Sequence, residues 1–130
     1  MIVVDSSVWI DYFNGKITKQ TNLLEFLLGN ELIVIGDIIL TEVLQGFQQD
    51  KDFNKAKKLL GSLLFMEMLG RQLALRSAEN YRILRKKGVT VRKTIDVIIA
   101  TFCIANNLPL LHSDRDFSPM EKHLNLKVIL

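Results

Sequence analysis

The chain has 130 residues, of which 48% are hydrophobic and 24% are charged, with a single cysteine and a formal net charge of +3. This length predicts one globular domain covering residues 1–130, and the composition excludes a disordered chain or a disulfide-stabilised scaffold. The longest uninterrupted apolar run is four residues, which excludes a membrane span, and no export signal is visible at the start, so we expect a cytoplasmic protein.

Positive charge is concentrated in the middle of the chain. Residues 51–93 contain 12 Lys and Arg against 3 Asp and Glu, whereas residues 1–50 contain 2 against 7. Such a segment is either the solvated face of helices or a surface that attracts a polyanion. Its last two residues, Arg92 and Lys93, lie just before the acid Asp96.

The first predicted element is a buried strand that ends in a polar cluster. The apolar run 1–4 stops abruptly at Asp5, Ser6 and Ser7, as a buried parallel strand does when its end carries a site. Open α/β sheets bind ligands at this C-terminal edge. Asp and Ser also cap helices, and Ser6 or Ser7 is expected to cap a short helix that ends at Asn14.

Two helices and a strand are predicted next. Leucines at helical spacing over residues 23–28 indicate a second helix, and the apolar run 32–35 indicates a second buried strand. Asp37 is expected to be the N-cap of a third helix over residues 38–47. Glu42 lies among the apolar residues of that helix, so it either points into solvent or is buried with a partner or a cation.

The basic middle segment is predicted to be largely helical. An amphipathic helix over residues 52–64 leads into a short strand at 63–66, and another helix follows over residues 71–87. Thr94 is expected to cap a helix over residues 95–106. That helix is apolar almost all round, as helices buried between layers are.

Acids recur in the last third of the chain. Asp96 lies in the first turn of the buried helix, where it either complements the helix dipole or belongs to a site. The apolar run 108–111 predicts a fourth strand that ends in a polar turn with Asp114 and Asp116, the same arrangement as after the first strand. Residues 126–130 form the predicted fifth strand.

Four acids would converge at one edge of the predicted parallel sheet. Asp5 and Asp114 follow strands, and Glu42 and Asp96 lie in buried helices. Two ionised carboxylates about 4 Å apart repel by up to about 4 kcal/mol at an effective dielectric of about 20, so several such pairs require a divalent cation. Ligands that are all oxygen favour Mg²⁺ or Mn²⁺, and such an ion can activate water for attack on a phosphodiester. The basic segment would then hold a nucleic-acid backbone.

Four stretches form an ordered set along the chain. They are Asp5-Ser6-Ser7, Glu42 in the third helix, Asp96-Val97-Ile98-Ile99-Ala100 and Ser113-Asp114-Arg115-Asp116-Phe117. This set resembles the PIN-domain nucleases, in particular the VapC-type toxins of prokaryotic toxin-antitoxin modules. The resemblance implies an α/β protein with a three-layer αβα fold and a central parallel sheet of about five strands in the order 3-2-1-4-5.

The same resemblance implies a function and partners. The function is that of a Mg²⁺- or Mn²⁺-dependent endoribonuclease that cuts structured RNA such as transfer or ribosomal RNA. The implied partners are a second copy of the chain, in a homodimer, and an inhibitory VapB-type antitoxin.

The resemblance also assigns roles to individual residues. The catalytic acids that it implies are Asp5, Glu42, Asp96 and Asp114, and Asp116 joins them as a metal ligand. Asp5 and Asp96 would be the central ligands, and no histidine, lysine or serine would act as the nucleophile. Ser6 and Ser113 would orient the carboxylates or a bound water through hydrogen bonds. The residues expected to contact RNA are Arg92, Lys93, Arg85 and Lys86.

Several apolar residues exceed what one small core needs. They are Leu23, Leu27, Val43, Leu44 and Phe47. A surplus of this kind would suit an antitoxin helix or a second protomer.

Two other classes of protein remain open. A non-catalytic RNA-binding or interaction module would bind RNA without metal and without the acids, because a fold alone does not guarantee catalysis. An aspartate phosphate-transfer module, of the receiver or phosphatase type, also places acids at strand ends. The phosphatase would need an acid where Ser7 stands, and the receiver would need a lysine after a late strand; neither is evident.

Overall fold

The computed structural model describes all 130 residues, and it contains five strands and seven α-helices. The strands are β1 (Ile2–Val4), β2 (Ile33–Gly36), β3 (Leu64–Met66), β4 (Leu110–Leu111) and β5 (Val128–Ile129). The helices are α1 (Ser6–Phe13), α2 (Lys19–Leu27), α3 (Asp37–Leu44), α4 (Asp50–Gly61), α5 (Gly70–Lys86), α6 (Thr94–Ala105) and α7 (Ser118–Leu124). A 3₁₀ turn over Arg115–Phe117 precedes α7.

The five strands form one parallel sheet in the order β3-β2-β1-β4-β5. The register pairs Val3 with Val34 of β2 on one side and with Leu110 of β4 on the other. Helices α1 to α4 pack with one another, and α5 to α7 form a second group. Because parallel crossovers are right-handed, the two groups cover opposite faces of the sheet. The predicted three-layer αβα fold and strand order are confirmed.

The direction of chain progress across the sheet reverses between β1 and β4. The chain first adds β2 and β3 on one side of β1, and then returns through α5 and α6 to add β4 on the other side. At such a point the loops after two adjacent strands lead to opposite faces of the sheet and leave a crevice between them. Asp5 follows β1 and the Asp114 loop follows β4, so both acids lie at this crevice.

The hydrophobic core is a cluster of 26 buried residues. Strands β1 and β2 are buried along their whole length, because helices cover both faces of the sheet. Helix α6 lies between the sheet and its neighbouring helices, and 7 of its 12 residues are buried. None of the helices combines the length and the apolarity needed to cross a lipid bilayer.

The prediction for the cap of α1 is wrong. Asp5 occupies the N-cap position, and its Oδ2 accepts a hydrogen bond from the Ser7 N–H at 3.0 Å. Ser6 and Ser7 are the first two residues of the helix instead. Asp5 is the last residue with extended backbone after β1, so its carboxylate is the one that reaches the free N–H groups of the first turn.

The start of α3 also differs from the prediction. Gly36 occupies the N-cap position, and Asp37 is the first helical residue. One carboxylate oxygen of Asp37 accepts hydrogen bonds from the Ile38 N–H at 2.9 Å and from the Met68 N–H at 3.0 Å. The side chain therefore joins α3 to the segment after β3, a contact that local sequence does not reveal.

The predicted cap of α6 is wrong by one residue. Thr94 is the first residue of the helix, and Lys93 occupies the N-cap position without a side-chain hydrogen bond. The extended backbone of the preceding loop continues through Lys93, which excludes that residue from the helix. This arrangement places the Lys93 side chain one turn before Asp96.

Two of the five residues predicted as surplus apolar surface belong to the core. Leu27 and Val43 are buried, because α2 and α3 both pack against α1. Leu23, Leu44 and Phe47 are partly buried at the edge of the core. Only these three keep the exposure that a partner surface requires.

Candidate active site

Asp5 and Asp114 hold equivalent positions after β1 and β4. Each uses one carboxylate oxygen to cap the turn that follows it: Asp5 Oδ2 accepts from the N–H two residues on at 3.0 Å, and Asp114 Oδ1 does the same at 2.9 Å. The second oxygens are differently placed. Asp5 Oδ1 is buried with no hydrogen-bond partner, whereas Asp114 Oδ2 faces the Lys93 ammonium at 3.5 Å. Each carboxylate is thus fixed in orientation and keeps one oxygen for a cation.

Hydrogen bonds join the two loops that carry these acids. The Asp5 N–H donates to the Leu111 carbonyl at 2.9 Å, which continues the β1–β4 ladder by one residue. The Ser113 N–H donates to Ser7 Oγ at 3.1 Å. The β1 and β4 loops therefore have a defined spacing, and so do the acids that they carry.

Helix α3 brings Glu42 to the Asp5 side of the crevice. The Ser6 hydroxyl donates a hydrogen bond to Glu42 Oε1 at 3.1 Å, across the contact between α1 and α3. The Glu42 side chain is partly buried at this contact. Of the two orientations left open by the sequence, the structure shows the one directed toward the other acids.

Asp96 comes from α6, which belongs to the second group of helices. Its residue is only 4% exposed, and its Oδ2 accepts no hydrogen bond. The Nζ of Lys93 is 3.7 Å from that oxygen. Because the same Nζ is 3.5 Å from Asp114 Oδ2, a single ammonium lies beside two carboxylates.

Three of the acids form the tightest group. Asp96, Asp114 and Asp116 can each offer a carboxylate oxygen, and these oxygens lie within 4.8 Å of one another. Asp5 and Glu42 adjoin this group and are not part of it. They are coupled to it by charge, since ionised Asp5 helps to raise the pKa of both Glu42 and Asp96.

Burial raises the pKa of three acids of the site, Asp5, Glu42 and Asp96. It raises the pKa of Asp96 to about 6, an effect that the Lys93 charge opposes. It also raises the pKa of Asp5 above its usual range, although hydrogen bonds from Ser7 act in the other direction. The pKa of Glu42 is raised for the same reason. Asp5, Glu42 and Asp96 therefore ionise less readily here than in water unless a cation compensates for the lost hydration.

These residues fit a hard divalent cation. Every donor is a carboxylate oxygen, which is the ligand type that Mg²⁺ and Mn²⁺ prefer. Asp5 Oδ1 and Asp96 Oδ2 are both buried without a hydrogen-bond partner, and such atoms are costly unless something binds them. The ammonium of Lys93 shows that a positive charge is accommodated between the acids.

The residues expected to contact RNA fall into two groups. Arg92 and Lys93 are paired with site acids, and the Arg92 Nη1 lies 3.8 Å from Asp116 Oδ1. Arg85 and Lys86 are exposed in the last turn of α5 and form no ion pair with any acid. The structure therefore brings only the first group into the site.

Sequence reasoning missed the parts played by Ser7 and His112. The Ser7 hydroxyl receives the Ser113 N–H, whereas the side chain of Ser113 itself is exposed and makes no hydrogen bond. His112 Nδ1 accepts the Asp114 N–H at 3.1 Å, and burial lowers the pKa of this imidazole, which favours the neutral acceptor form. The position of Ser7, a hydroxyl residue two places after Asp5 at the end of β1, could have indicated its role. No local sequence pattern identifies the role of His112.

Two clefts open beside the loop after β4, the first at Asp116 and the second at Asp114. One has a volume of about 230 Å³ and is lined by Asp96 and Arg92, and the other has a volume of about 530 Å³ and is lined by Lys16. Arg115 lines both clefts and is exposed. A polyanion that reaches the acids would therefore pass cations that the sequence analysis did not single out.

Known protein sequences resemble this chain over nearly its whole length. The PIN domain family model matches residues 2–122. Ribonuclease VapC11 of Mycobacterium tuberculosis is 28% identical over 129 residues, which cover 98% of this chain and 96% of that protein. Ribonuclease VapC1 of Methanocaldococcus jannaschii is 29% identical over 127 residues, which cover 98% of this chain and 85% of that protein.

Solved structures share the fold. VapBC2 from Rickettsia felis, bound to a DNA fragment from its promoter, matches with a TM-score of 0.78 and 22% identity over 99% of this chain and 98% of that one. VapC20 from M. tuberculosis, described as a sarcin-ricin loop cleaving toxin, matches with a TM-score of 0.70 and 15% identity over 91% and 93% of the two chains. With its acids at the edge of the same sheet and a family match over residues 2–122, the chain belongs to the PIN domain family.

Proposed function

We propose that this protein is a Mg²⁺- or Mn²⁺-dependent endoribonuclease and the toxin of a toxin-antitoxin pair. The observation that carries the proposal is the cluster of acids at the β1–β4 crevice, with two buried carboxylate oxygens that have no hydrogen-bond partner. The reaction class is supported by the ribonuclease names of relatives that align with almost the whole chain. We treat residues 1–130 as one PIN domain.

The proposed metal ligands are Asp5, Glu42, Asp96, Asp114 and Asp116. When bound, Mg²⁺ or Mn²⁺ would activate water and offset charge on the scissile phosphate as a Lewis acid. The chain itself supplies positioning: Ser6 holds the Glu42 carboxylate, and the Ser7 N–H holds that of Asp5. His112 holds the loop after β4 through its Nδ1. As the family resemblance implies, no protein side chain is assigned as the nucleophile.

The substrate that we propose is structured RNA, such as transfer or ribosomal RNA. Support comes from charge: the cations Lys16, Arg92 and Arg115 line the clefts beside the acids, and Arg85 and Lys86 extend the positive surface along α5. Cations of this kind neutralise phosphates and carry little sequence information. We therefore expect recognition to depend on RNA shape and loop presentation.

A VapB-type antitoxin is the inhibitor that we propose. Structural neighbours include VapBC complexes from Salmonella typhimurium and nontypeable Haemophilus influenzae. On this chain a groove of about 660 Å³ runs between the end of α1 and α4, with Phe13, Phe47 and Leu59 among its lining residues. A partly apolar groove of this shape suits the apolar face of an amphipathic helix.

We also propose that the protein is a homodimer that acts in the cytoplasm, where its RNA substrate is found. The exposed apolar residues Leu69, Leu75 and Ile95 lie on α5, its preceding loop and the start of α6. Burial of such residues against a second copy would remove apolar area from water. Light scattering should report twice the monomer mass at micromolar concentration, and a constant monomer mass would contradict the dimer.

The experiment that tests the proposed function is cleavage of total cellular RNA by the purified protein with Mg²⁺ or Mn²⁺. We expect discrete products that disappear with a chelator and with Asp96→Asn. The asparagine keeps the shape of the side chain and removes the charge that a metal needs. Equal cleavage by Asp96→Asn would refute the assignment of this acid.

Other outcomes would favour the two alternative classes. RNA binding that persists without metal and without Asp96, and is never followed by cleavage, would indicate a non-catalytic interaction module. Labelling of Asp5 by a phosphoryl donor such as acetyl phosphate would indicate a phosphate-transfer module.

A further inference from the structure

Lys93 contacts two of the proposed metal ligands. Its Nζ lies 3.7 Å from Asp96 Oδ2 and 3.5 Å from Asp114 Oδ2. The Asp96 oxygen is buried and accepts no hydrogen bond, and the ammonium is the only cation paired with it. Lys93 therefore offsets negative charge within the group formed by Asp96, Asp114 and Asp116.

The fold explains how Lys93 reaches this position. It is the N-cap residue of α6, one turn before Asp96, and Asp114 approaches it from the loop after β4. The Lys93 side chain is 53% exposed, so its flexible stem can swing into solvent without disturbing α6. The ion pair between Lys93, at the start of α6, and Asp114, in the loop after β4, can therefore break without a change in the fold.

A divalent cation and the Lys93 ammonium need the same two oxygens. A carboxylate oxygen that coordinates a metal keeps a close ammonium only at the expense of repulsion between two positive charges. We propose that Lys93 is an internal counter-ion of the acid cluster, which occupies it in the metal-free protein and must be displaced when the divalent cation binds. This inference rests on the proposed metal-dependent function, and it adds that the chain itself competes with its metal.

Competition predicts two opposite effects of removing the charge. In the metal-free protein, Lys93→Gln leaves Asp96 and Asp114 without their neutralising partner, so the melting temperature should fall. In the presence of metal the same variant has no ammonium to displace, so it should bind the ion more tightly. A residue with a purely structural role would not improve metal binding when it is lost.

The test is direct binding of Mn²⁺ without RNA. Free Mn²⁺ is followed by its electron paramagnetic resonance signal during titration in metal-free, low-salt buffer at pH 7.5, and melting curves are recorded with and without the ion. The Mn²⁺ affinity of Lys93→Gln should be about fivefold higher than that of the unsubstituted protein, the gain expected when a half-exposed ion pair no longer has to be broken.

Three variants serve as controls. Lys93→Arg keeps a cation beside the acids and should bind Mn²⁺ within about twofold of the unsubstituted protein. Lys58→Gln removes an exposed charge on α4 that forms no ion pair, so it measures the effect of net charge alone. Asp96→Asn should bind Mn²⁺ poorly, which tests whether the acid cluster is the site.

The outcomes separate the inference from the proposed function. If Lys93→Gln binds Mn²⁺ no more tightly than the unsubstituted protein, Lys93 does not compete with the metal and the inference is overturned. If Asp96→Asn at the same time abolishes Mn²⁺ binding, the proposed metal site is still supported. Equal gains in Lys93→Gln and Lys58→Gln also overturn the inference, because net charge then explains the effect. Absence of Mn²⁺ binding in all variants overturns both proposals. If Lys93→Gln unfolds, Lys93→Met keeps the apolar stem and repeats the test.

Discussion

Asp96 lies in the first turn of α6, where the helix dipole ordinarily stabilises a carboxylate. Its pKa is nevertheless raised to about 6, because burial outweighs the Lys93 charge. An acid placed only to stabilise the helix would be exposed, with a pKa near or below its usual value. Burial at this position therefore reduces the stability of the metal-free protein, a cost that the proposed cation would offset.

The raised pKa predicts how Asp96→Asn changes stability with pH. Below about pH 4 the carboxyl is protonated in both the folded and the unfolded chain and has no effect. As pH rises through about 6 it ionises in the folded protein as well, which then bears the full cost of a buried charge. We expect Asp96→Asn to match the unsubstituted protein near pH 4 and to be more stable at pH 7.5, by up to about 3 kcal/mol.

Urea unfolding in metal-free buffer at several pH values measures this difference. Saturating Mn²⁺ at pH 7.5 should reduce or reverse it, because only the protein with Asp96 gains stability from the ion. A stability difference that does not change between pH 4 and 7.5 would show that folding does not raise the pKa of Asp96.

At the scale of elements, the site depends on how the helices are anchored at the C-terminal edge of the sheet. Helix α3 carries Glu42, and its first residue, Asp37, is tied to Met68 on the segment that leads into α5. Helix α1 is capped by Asp5, so one side chain both starts a helix and adjoins the acid cluster. Stability and chemistry therefore share residues here.

Asp37→Ala should destabilise the fold by about 1–3 kcal/mol. The substitution leaves the Met68 N–H without its acceptor, and an unpaired buried donor costs that much. Urea denaturation measures the loss. Asp50→Ala, at the exposed start of α4, is the matched control and should change the unfolding free energy by less than about 0.5 kcal/mol. Equal effects of the two variants would mean that the Asp37–Met68 contact contributes nothing.

At the scale of the whole molecule, most of the cations lie outside the crevice that holds the site acids, and Arg92 and Lys93 are the two that pair with them. The acids gather at the β1–β4 crevice, whereas the segment 51–93 carries 12 of the 17 Lys and Arg residues. An RNA backbone is repelled by the acids and attracted by the neighbouring cations. The proposed arrangement is therefore that basic surfaces on α5 and beside the clefts hold the RNA while the metal screens the acids.

Binding of RNA should depend on salt through these cations. All variants carry Asp96→Asn, so that RNA binding is measured without cleavage. Replacing Arg85 or Lys86 by Gln should reduce the slope of log affinity against log salt by about 0.7 for each lost phosphate contact. Fluorescence anisotropy at several salt concentrations measures the slope. Lys127→Gln is the control, because Lys127 directly precedes β5 and so lies at the N-terminal edge of the sheet, whereas the acids lie at the C-terminal edge. Equal slopes in all variants would exclude α5 from the RNA surface.

Much of the fold could be predicted because its signals are local. Apolar runs bounded by turns identify strands, and helical spacing identifies the helices between them. The acids at strand ends, Asp5 and Asp114, were predicted for the same reason. The strand order was implied by the family resemblance alone. The errors lie at helix starts, where a one-residue difference in backbone conformation decides whether Asp5 or Ser6, and Lys93 or Thr94, is the cap.

The sequence by itself determined which residue types are present at the sheet edge and in which order, because periodicity and strand ends depend on neighbouring residues. Only the tertiary structure decided which side chains meet. It groups Asp96 and Asp116 with Asp114, ties Ser6 to Glu42 across 36 residues, and brings Lys93 to Asp114. Such contacts depend on the packing of separate layers and on side-chain rotamers, so no local pattern encodes them. The competition between Lys93 and a metal could therefore be inferred only once the loop after β4 and the start of α6 were seen together.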